Sequence, residues 1–292
     1  MKTIKAWIEA MRLRTLPVSV AGVLFAIGIT VTGGTFAWPQ AILCMVFAVL
    51  AQISSNFANE YYDFRDGLDR PGREGPRRGV TEGDISPRAM LYASLLTLAV
   101  ACLLGLYLVD RYGYWWMYAV GVATALGVVA YSAGPWPLSR MGLGEVAVVI
   151  FFGVVPVNLT CLLMQPSITA GVVWSSVGVG LMGANVLIVN NYRDADDDAA
   201  VGKKTLAVRL GKKAMPGLYL VNGLLALVLT FSRWLYLPTG SWIFPVLYLA
   251  GHIALYMSLK SKTGRDLNPL LGKTAMLMLF YSLGLLISAL WK

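Results

Sequence analysis

Residues 38–69 read WPQAILCMVFAVLAQISSNFANEYYDFRDGLD. The stretch begins as an apolar run, takes up Gln52, Asn56 and Asn59 toward its end, and finishes in Glu60, Asp63, Asp66 and Asp69. An apolar run of about twenty residues, rising about 1.5 Å per residue, reaches across the hydrocarbon layer of a bilayer. Gln52, Asn56, Asn59 and Asp63 follow one another at intervals of 4, 3 and 4, which sets all four on one stripe of a helix. A polar stripe that starts inside hydrocarbon faces a bundle interior or a wet cavity. The stretch is read as a membrane helix over 38–59, with a polar face lining a cavity and an acidic end at the membrane surface.

The rest of the chain repeats the pattern. Of 292 residues 57% are hydrophobic and 13% charged, and the mean hydropathy is +0.65. Soluble domains carry about 25% charged residues, so a soluble enzyme, a disordered chain and a secreted disulfide scaffold are excluded. The apolar runs predict an all-α membrane protein with nine transmembrane helices near 15–33, 38–59, 88–109, 114–133, 143–163, 169–191, 215–232, 242–259 and 273–291. The first is read as a retained helix and not a cleaved leader, and residues 1–292 as a single domain. With the N-terminus cytoplasmic, 21 of the 24 Lys and Arg fall on the inner side, leaving Arg111, Arg233 and Lys292 outside. Basic residues resist translocation, so the net charge of +9 reflects topology and not a nucleic-acid partner. A multi-pass protein of the cytoplasmic (inner) membrane follows. Cys44, Cys102 and Cys161 lie in predicted spans without paired spacing, and His252 is the one histidine. Catalysis by a His base and ligation of a metal by His or thiolate are therefore not expected.

The acidic residues carry the chemistry. Eleven of fifteen lie in two stretches, at 60–84 and 194–198. The second follows the sixth predicted helix and is announced by Asn185, Asn190 and Asn191. Asn191, Asp194 and Asp198 are spaced 3 and 4, again one helical stripe. Two carboxylates about 6 Å apart repel by about 3 kcal/mol at an effective dielectric of about 20, so two such stripes at one cavity require cations. Oxygen-only ligands suit Mg2+, which shares its shell with water and phosphate. Lys203, Lys204, Arg65, Arg70, Arg73, Arg77 and Arg78 supply further positive charge. Carboxylates for a metal beside cations, at the mouth of an apolar cavity, fit a diphosphate head on a lipid tail. Phe57, Tyr61, Tyr62 and Tyr131 are candidates to face an allylic cation. A pair of salt-bridged loops would balance charge equally well, but gives no reason to set Gln52 and Asn56 within the membrane.

NFANEYYDFRDGLD at 56–69 and NNYRDADDDAAVGKKTLAVRLG at 190–211 resemble the two aspartate-rich motifs of the UbiA-type intramembrane aromatic prenyltransferases. The resemblance covers essentially the whole chain and implies nine helices around a central cavity, both motifs at its cytoplasmic mouth. MRLRTLP (11–17), GPRRG (75–79), GLGE (142–145) and LNPLLGKTA (267–275) are similar to the naphthoate-using branch. Tyr131 is followed by Ser-Ala-Gly-Pro-Trp-Pro, without the Lys-Arg pair usual in hydroxybenzoate-type relatives. The resemblance implies Asn59, Asp63 and the outlying Asp69 around one Mg2+, Asn191, Asp194 and Asp198 around another, and Lys203 or Lys204 at the diphosphate. Glu60 stands where the family commonly has Asp. Gln52, Asn56, Arg65, Tyr131 and Arg140 are candidates for substrate binding, and Glu145 for orienting the acceptor or for packing.

The implied reaction moves a polyprenyl group from polyprenyl diphosphate to 1,4-dihydroxy-2-naphthoate with loss of diphosphate and CO2, giving demethylmenaquinol, a step of menaquinone biosynthesis. The alternatives are the same transfer to 4-hydroxybenzoate or homogentisate, and a divalent-cation transporter. A transporter places its acids near the bilayer midplane in broken helices, whereas these lie at one face. Motif loops are expected near 60–87 and 192–214, long enough for short helices or a lid. The acidic motifs follow helices two and six, as in two four-helix halves plus one.

Overall fold

In a computed structural model the chain is all-helical, with residues 2–70, 72 and 74–292 described and no β-strand among them. Arg73, one of the cations expected near the diphosphate, lies outside the described residues, as do the side chains of Lys2 and Thr3. In chain order the helices are α1 (Lys2–Ala10), α2 (Leu16–Thr32), α3 (Trp38–Arg65), α4 (Pro87–Tyr112), α5 (Met117–Ala130), α6 (Gly144–Val148), α7 (Val155–Leu162), α8 (Ala170–Ala200), α9 (Leu206–Leu210), α10 (Met215–Thr230), α11 (Ile243–Ser261) and α12 (Asn268–Leu290). Counting 144–162 as one rod, seven are long and apolar enough to cross a membrane, and α2 and α5 are shorter apolar helices of 17 and 14 residues.

The nine expected runs all appear as apolar helices, but two ends differ in a way that matters. The second was expected to stop at 59 and runs to Arg65; the sixth was expected to stop at 191 and runs to Ala200. Asp63, Asp194 and Asp198 therefore sit on helices and not in the loops expected near 60–87 and 192–214. Hydropathy marks where hydrocarbon ends, whereas a helix continues as long as its backbone hydrogen bonds are made. The second motif stretch does contain a short helix, α9.

The fifth run is interrupted. Between α6 and α7, Val149–Val154 form a π-helical turn. Pro156 has no N–H to offer Phe152, and the rod crosses α8 at glycines. A Cβ on Gly153 would lie 2.4 Å from the Cα of Gly180, and a Cβ on Gly180 2.5 Å from the Val149 carbonyl. Gly22 of α2 meets the Phe152 carbonyl just as closely, at 2.6 Å.

These contacts close the bundle, with α2 on α12, α3 on α4 and α10 on α8 as the broadest packings. The largest core cluster, which includes Tyr219, Trp234, Tyr248, Met278 and Tyr281, packs α8, α10, α11 and α12 together and reaches α2 and α7 through Phe25 and Val157. The cavity lies on the other side, lined by α1–α8 with Asn268 and Leu271 of α12. Helices α10 and α11 contribute no lining residue; they buttress α8, so the nine apolar helices do not form an even ring around the cavity.

Replacing Gly153 by Val should force the crossing apart and lower stability by about 1–3 kcal/mol, the usual penalty of overpacking. Gly217 has open space around it, and Gly217→Ala should leave the unfolding midpoint in detergent unchanged or slightly raised. Equal midpoints for the two variants would show that the crossing is not tight.

Candidate active site

Helices α3 and α8 end in the same way. After α3, Gly67 turns the chain at φ 68°, with Gly67 N–H donating to the Phe64 carbonyl at 3.1 Å and Leu68 N–H to the Asp63 carbonyl at 2.8 Å. After α8, Gly202 turns it at φ 77°, with Gly202 N–H donating to Ala199 at 3.1 Å and Lys203 N–H to Asp198 at 2.9 Å. Both are glycine-terminated Schellman caps, in which the left-handed residue is cheapest as glycine. Each cap is built around the aspartate four residues before its glycine.

The second cap settles which lysine reaches the site. It turns Lys203 back, so that Nζ lies 3.1 Å from Asp63 Oδ2 and 3.8 Å from Asp198 Oδ1. One ammonium thus joins the two motifs. Lys204 is exposed and ties loops together through its backbone, its N–H donating to the Arg140 carbonyl at 2.9 Å and its carbonyl accepting from Arg209 Nε at 3.1 Å.

On α3, Gln52, Asn56, Asn59 and Asp63 all line a cavity of about 890 Å3. Their amides first hold the N-terminal segment. Gln52 Nε2 donates to Asn56 Oδ1 at 3.3 Å, and Asn56 Nδ2 donates to the Met11 carbonyl at 2.9 Å. Helix α1 docks by burying Ala6 and Ala10 and setting Trp7 edge-on to Phe57 at 5.5 Å. The next residue, Arg12, has φ 55°, a left-handed conformation rarely adopted by a non-glycine residue. Its guanidinium donates to Asn59 Oδ1, which also accepts from Arg78 Nη2 at 3.3 Å. Asn59 Nδ2 donates to Asp63 Oδ2 at 3.3 Å and to Ser132 Oγ at 3.2 Å. Arg12 was missed in sequence; its signal was a basic residue in MRLRTLP between an amphipathic helix and Pro17.

Around these residues the other first-motif acids hold the returning loop. Glu60, 1% exposed, accepts from Val80 N–H at 3.0 Å and has Arg78 Nη1 at 3.8 Å. Asp69 lies 3.4 Å from Arg78 Nε and does not line the cavity. Arg140 does not line the cavity; it lies 3.4 Å from Asp63 Oδ1 and is hydrogen-bonded to Asp66 and to the Ser132 carbonyl. The hydrogen bond from Arg65, together with Arg140 and against partial burial, holds the Asp66 carboxyl below the ordinary carboxylate range. Arg65 itself is exposed, 4.6 Å over the Tyr62 ring.

On α8, Asn190, Asn191, Asp194 and Asp198 line the same cavity, whereas Asn185 turns away and donates to the Tyr219 carbonyl at 3.1 Å. The buried Arg193 takes both oxygens of Asp194 at 2.7 Å and also donates to Asn190 Oδ1 and Asn268 Oδ1 at 2.8 Å each. Asn191 Nδ2 donates to Glu145 Oε1 at 2.7 Å. Asp196 and Asp197 face outward, toward Lys212 and Arg70.

Of the aromatic candidates, Tyr131 lines the cavity. Phe57 packs on Trp7, and Tyr61 and Tyr62 pack on each other with ring centroids 5.0 Å apart. Phe47, Phe151 and Phe152 line the cavity instead, with aliphatic side chains such as Leu159 and Leu163. The π-helical turn carries two of these rings inward, a displacement that no hydrophobic periodicity announces.

Among the described residues no three Asp, Glu, His or Cys side chains cluster closely enough to hold a metal by themselves. The donors facing the cavity are carboxylate and amide oxygens from two helices, a hard set that suits Mg2+ when phosphate oxygens complete the shell. Geometry and donor chemistry thus describe a polar head, set with acids and a bridging lysine, above an apolar chamber.

Comparison with known proteins agrees. The UbiA prenyltransferase family matches residues 19–287. The chain is 35% identical to the 1,4-dihydroxy-2-naphthoate octaprenyltransferase of Mycobacterium tuberculosis, over 97% of this chain and 96% of that protein. It is 34% identical to the Haemophilus influenzae protein of the same name, over 71% of this chain and 70% of that one. The apo structure of a UbiA homologue from Aeropyrum pernix K1 superposes with a TM-score of 0.71 at 16% identity, covering 92% of this chain and 97% of that one. A UbiA homologue from Archaeoglobus fulgidus bound to DMAPP and Mg2+ gives a TM-score of 0.63 at 16% identity, covering 94% and 98%. A match of that extent, with relatives above 30% identity along nearly the full chain, means that this protein belongs to the UbiA prenyltransferase family.

Proposed function

We propose that this chain transfers a polyprenyl group from polyprenyl diphosphate to 1,4-dihydroxy-2-naphthoate, with loss of diphosphate and CO2, to give demethylmenaquinol. One observation carries the reading: carboxylates from two distant helices share Lys203 at the head of an apolar cavity of about 890 Å3. The relatives' names supply the acceptor. We further propose that residues 1–292 act as one unit, that all nine apolar helices cross the cytoplasmic membrane, and that the N-terminus and the cavity mouth face the cytoplasm. The charge bias of 21 to 3 supports that orientation.

In this reading Asp63 serves one Mg2+, supported by Asn59, whose oxygen is held by Arg12 and Arg78, and by Asp69 from outside the cavity, and Asn191, Asp194 and Asp198 serve the other. A divalent cation held by these residues would supply charge neutralisation for the departing diphosphate. Lys203 pairs with the same leaving group, and Arg140 holds Asp63 from outside the cavity. Tyr131, Phe151 and Phe152 offer ring faces to the allylic cation left on the prenyl chain, and the apolar lining keeps water from it. The acceptor ring then forms the new C–C bond, and CO2 leaves from the substituted carbon. Gln52 and Asn56 support the site by holding the Met11–Arg12 segment. A cation transporter is disfavoured because the one broken rod, residues 144–162, carries no carboxylate at its break.

The buried Arg193 constrains the choice of variants, since removing the Asp194 side chain leaves an uncompensated buried charge. Asp63→Asn and Asp194→Asn keep the shape, and each should lower Mg2+-dependent transfer by about 10²-fold or more with helical content in membranes retained. Near-full activity in both would remove the metal assignment. Lys203→Ala should lower kcat on a similar scale, about 10²-fold, while Lys204→Ala should stay within about threefold, the range of a solvent-exposed substitution. The reverse order would mean that the cap does not set which lysine acts. Purified enzyme given 1,4-dihydroxy-2-naphthoate and a polyprenyl diphosphate should release CO2 and diphosphate in equal amounts. Product from 4-hydroxybenzoate alone would overturn the acceptor.

A further inference from the structure

Glu145, 7% exposed in the first turn of α6, has no part in the chemistry described so far. Its Oε1 accepts from Asn191 Nδ2 at 2.7 Å, and its Oε2 has no hydrogen-bond partner among the described residues. Asn191 lines the cavity, Glu145 does not, and no hydrogen bond to Asn191 Oδ1 is made among the described residues.

An amide has a donor end and an acceptor end of nearly equal size, and rotation by half a turn exchanges them. An ionised carboxylate only accepts, so it fixes which end turns toward it. The counterpart on α3 shows the contrast. Asn59 Oδ1 is already taken by two guanidinium groups, and its Nδ2 points to Asp63 and Ser132. Of the two asparagines assigned to the metal, Asn191 is the one whose oxygen accepts no hydrogen bond among the described residues, and its Nδ2 is held by Glu145.

We propose that Glu145 is a positioning residue: by holding Nδ2 of Asn191 it turns the amide oxygen toward the cavity, where that oxygen joins Asp194 and Asp198 in binding the cation that accompanies the diphosphate. This rests on the metal reading above. Without the carboxylate the amide is free to present its N–H2 end, which repels a cation. A carboxylate with one unpartnered oxygen is costly to bury, and an apolar residue would fill the space without that penalty. The orienting contact is what the carboxylate adds.

The test uses the full chain in nanodiscs with Mn2+ as probe, titrated by the loss of its free electron-paramagnetic-resonance signal in the presence of a non-hydrolysable prenyl thiodiphosphate. Glu145→Ala should weaken Mn2+ binding by about tenfold or more, the scale for losing a partner that orients a metal ligand. The Mg2+ concentration for half-maximal transfer should rise in step, with kcat recovered at saturating Mg2+. Asn191→Asp sets two carboxylates face to face and should weaken binding. Adding Glu145→Gln to Asn191→Asp supplies an N–H donor to one Asp oxygen, leaves the other for the cavity, and should restore binding by about tenfold. That recovery carries the test if Glu145→Ala fails to fold. Wild-type Mn2+ affinity in Glu145→Ala, or a double variant no better than Asn191→Asp, would overturn the proposal. If Asp194→Asn loses Mn2+ while Glu145→Ala keeps it, the metal reading stands and Glu145 alone is wrong. A wild-type protein that binds no Mn2+ with the analogue would sink the metal reading, and the role of Glu145 with it.

Discussion

The arrangement depends on like charge brought together where charge is least welcome. Helices α3 and α8 present Asp63, Asp194 and Asp198 from their C-terminal turns, where the backbone already contributes about half a negative charge per helix. Fixed cations answer it in two ways. Arg193 is buried and grips both oxygens of Asp194, a planar fork that leaves little freedom. Lys203 instead sits between Asp63 and Asp198 at 3.1 and 3.8 Å, on a flexible stem that exchanges partners readily. The first pair is held rigidly. The second is a charge balance open to rearrangement when a ligand of the opposite sign arrives.

How much of this could be read from sequence depends on which physical property recorded it. The apolar runs record helices, seven of them long enough to cross a bilayer, so these were legible, as was the stripe from Gln52 to Asp63. The helix ends were not, because Asp63 and Asp198 leave the hydrocarbon without leaving the helix. The glycines four residues after each aspartate, Gly67 and Gly202, were the available signal for those ends, and the second also points to Lys203 over Lys204. The left-handed Arg12 and the π-helical turn at Val149–Val154 come from tertiary packing, which leaves no periodicity in the chain. Glu145 reads in sequence as a candidate for orienting the acceptor or for packing; its contact with Asn191 is visible only in the fold.

The two motif helices end alike. Both motifs finish in the same cap around an aspartate, with matching hydrogen bonds at Gly67–Leu68 and Gly202–Lys203. The halves then diverge where one asymmetric ligand makes equal halves unnecessary. The residue after the glycine is Leu68 in one and Lys203 in the other. Asn59 gives its oxygen to Arg12 and Arg78, and the oxygen of Asn191 accepts no hydrogen bond among the described residues. A diphosphate bonded to a hydrocarbon chain at one end only has no two-fold symmetry to match.

The separation of the two acid stripes is set far from either of them. Helix α8 meets the broken rod at Gly153 and Gly180 with backbone against backbone, so it stands as close to the cavity as a helix without side chains at the crossing can. Behind it the buried layer of Tyr219, Trp234, Tyr248 and Tyr281 is hydrogen-bonded and densely packed, which prevents retreat. On the open side, α3 is held by α4 and by α1 through Trp7 and Asn56. The gap bridged by Lys203 is therefore the difference between two placements, one of them set at a glycine crossing that has no room for a methyl group.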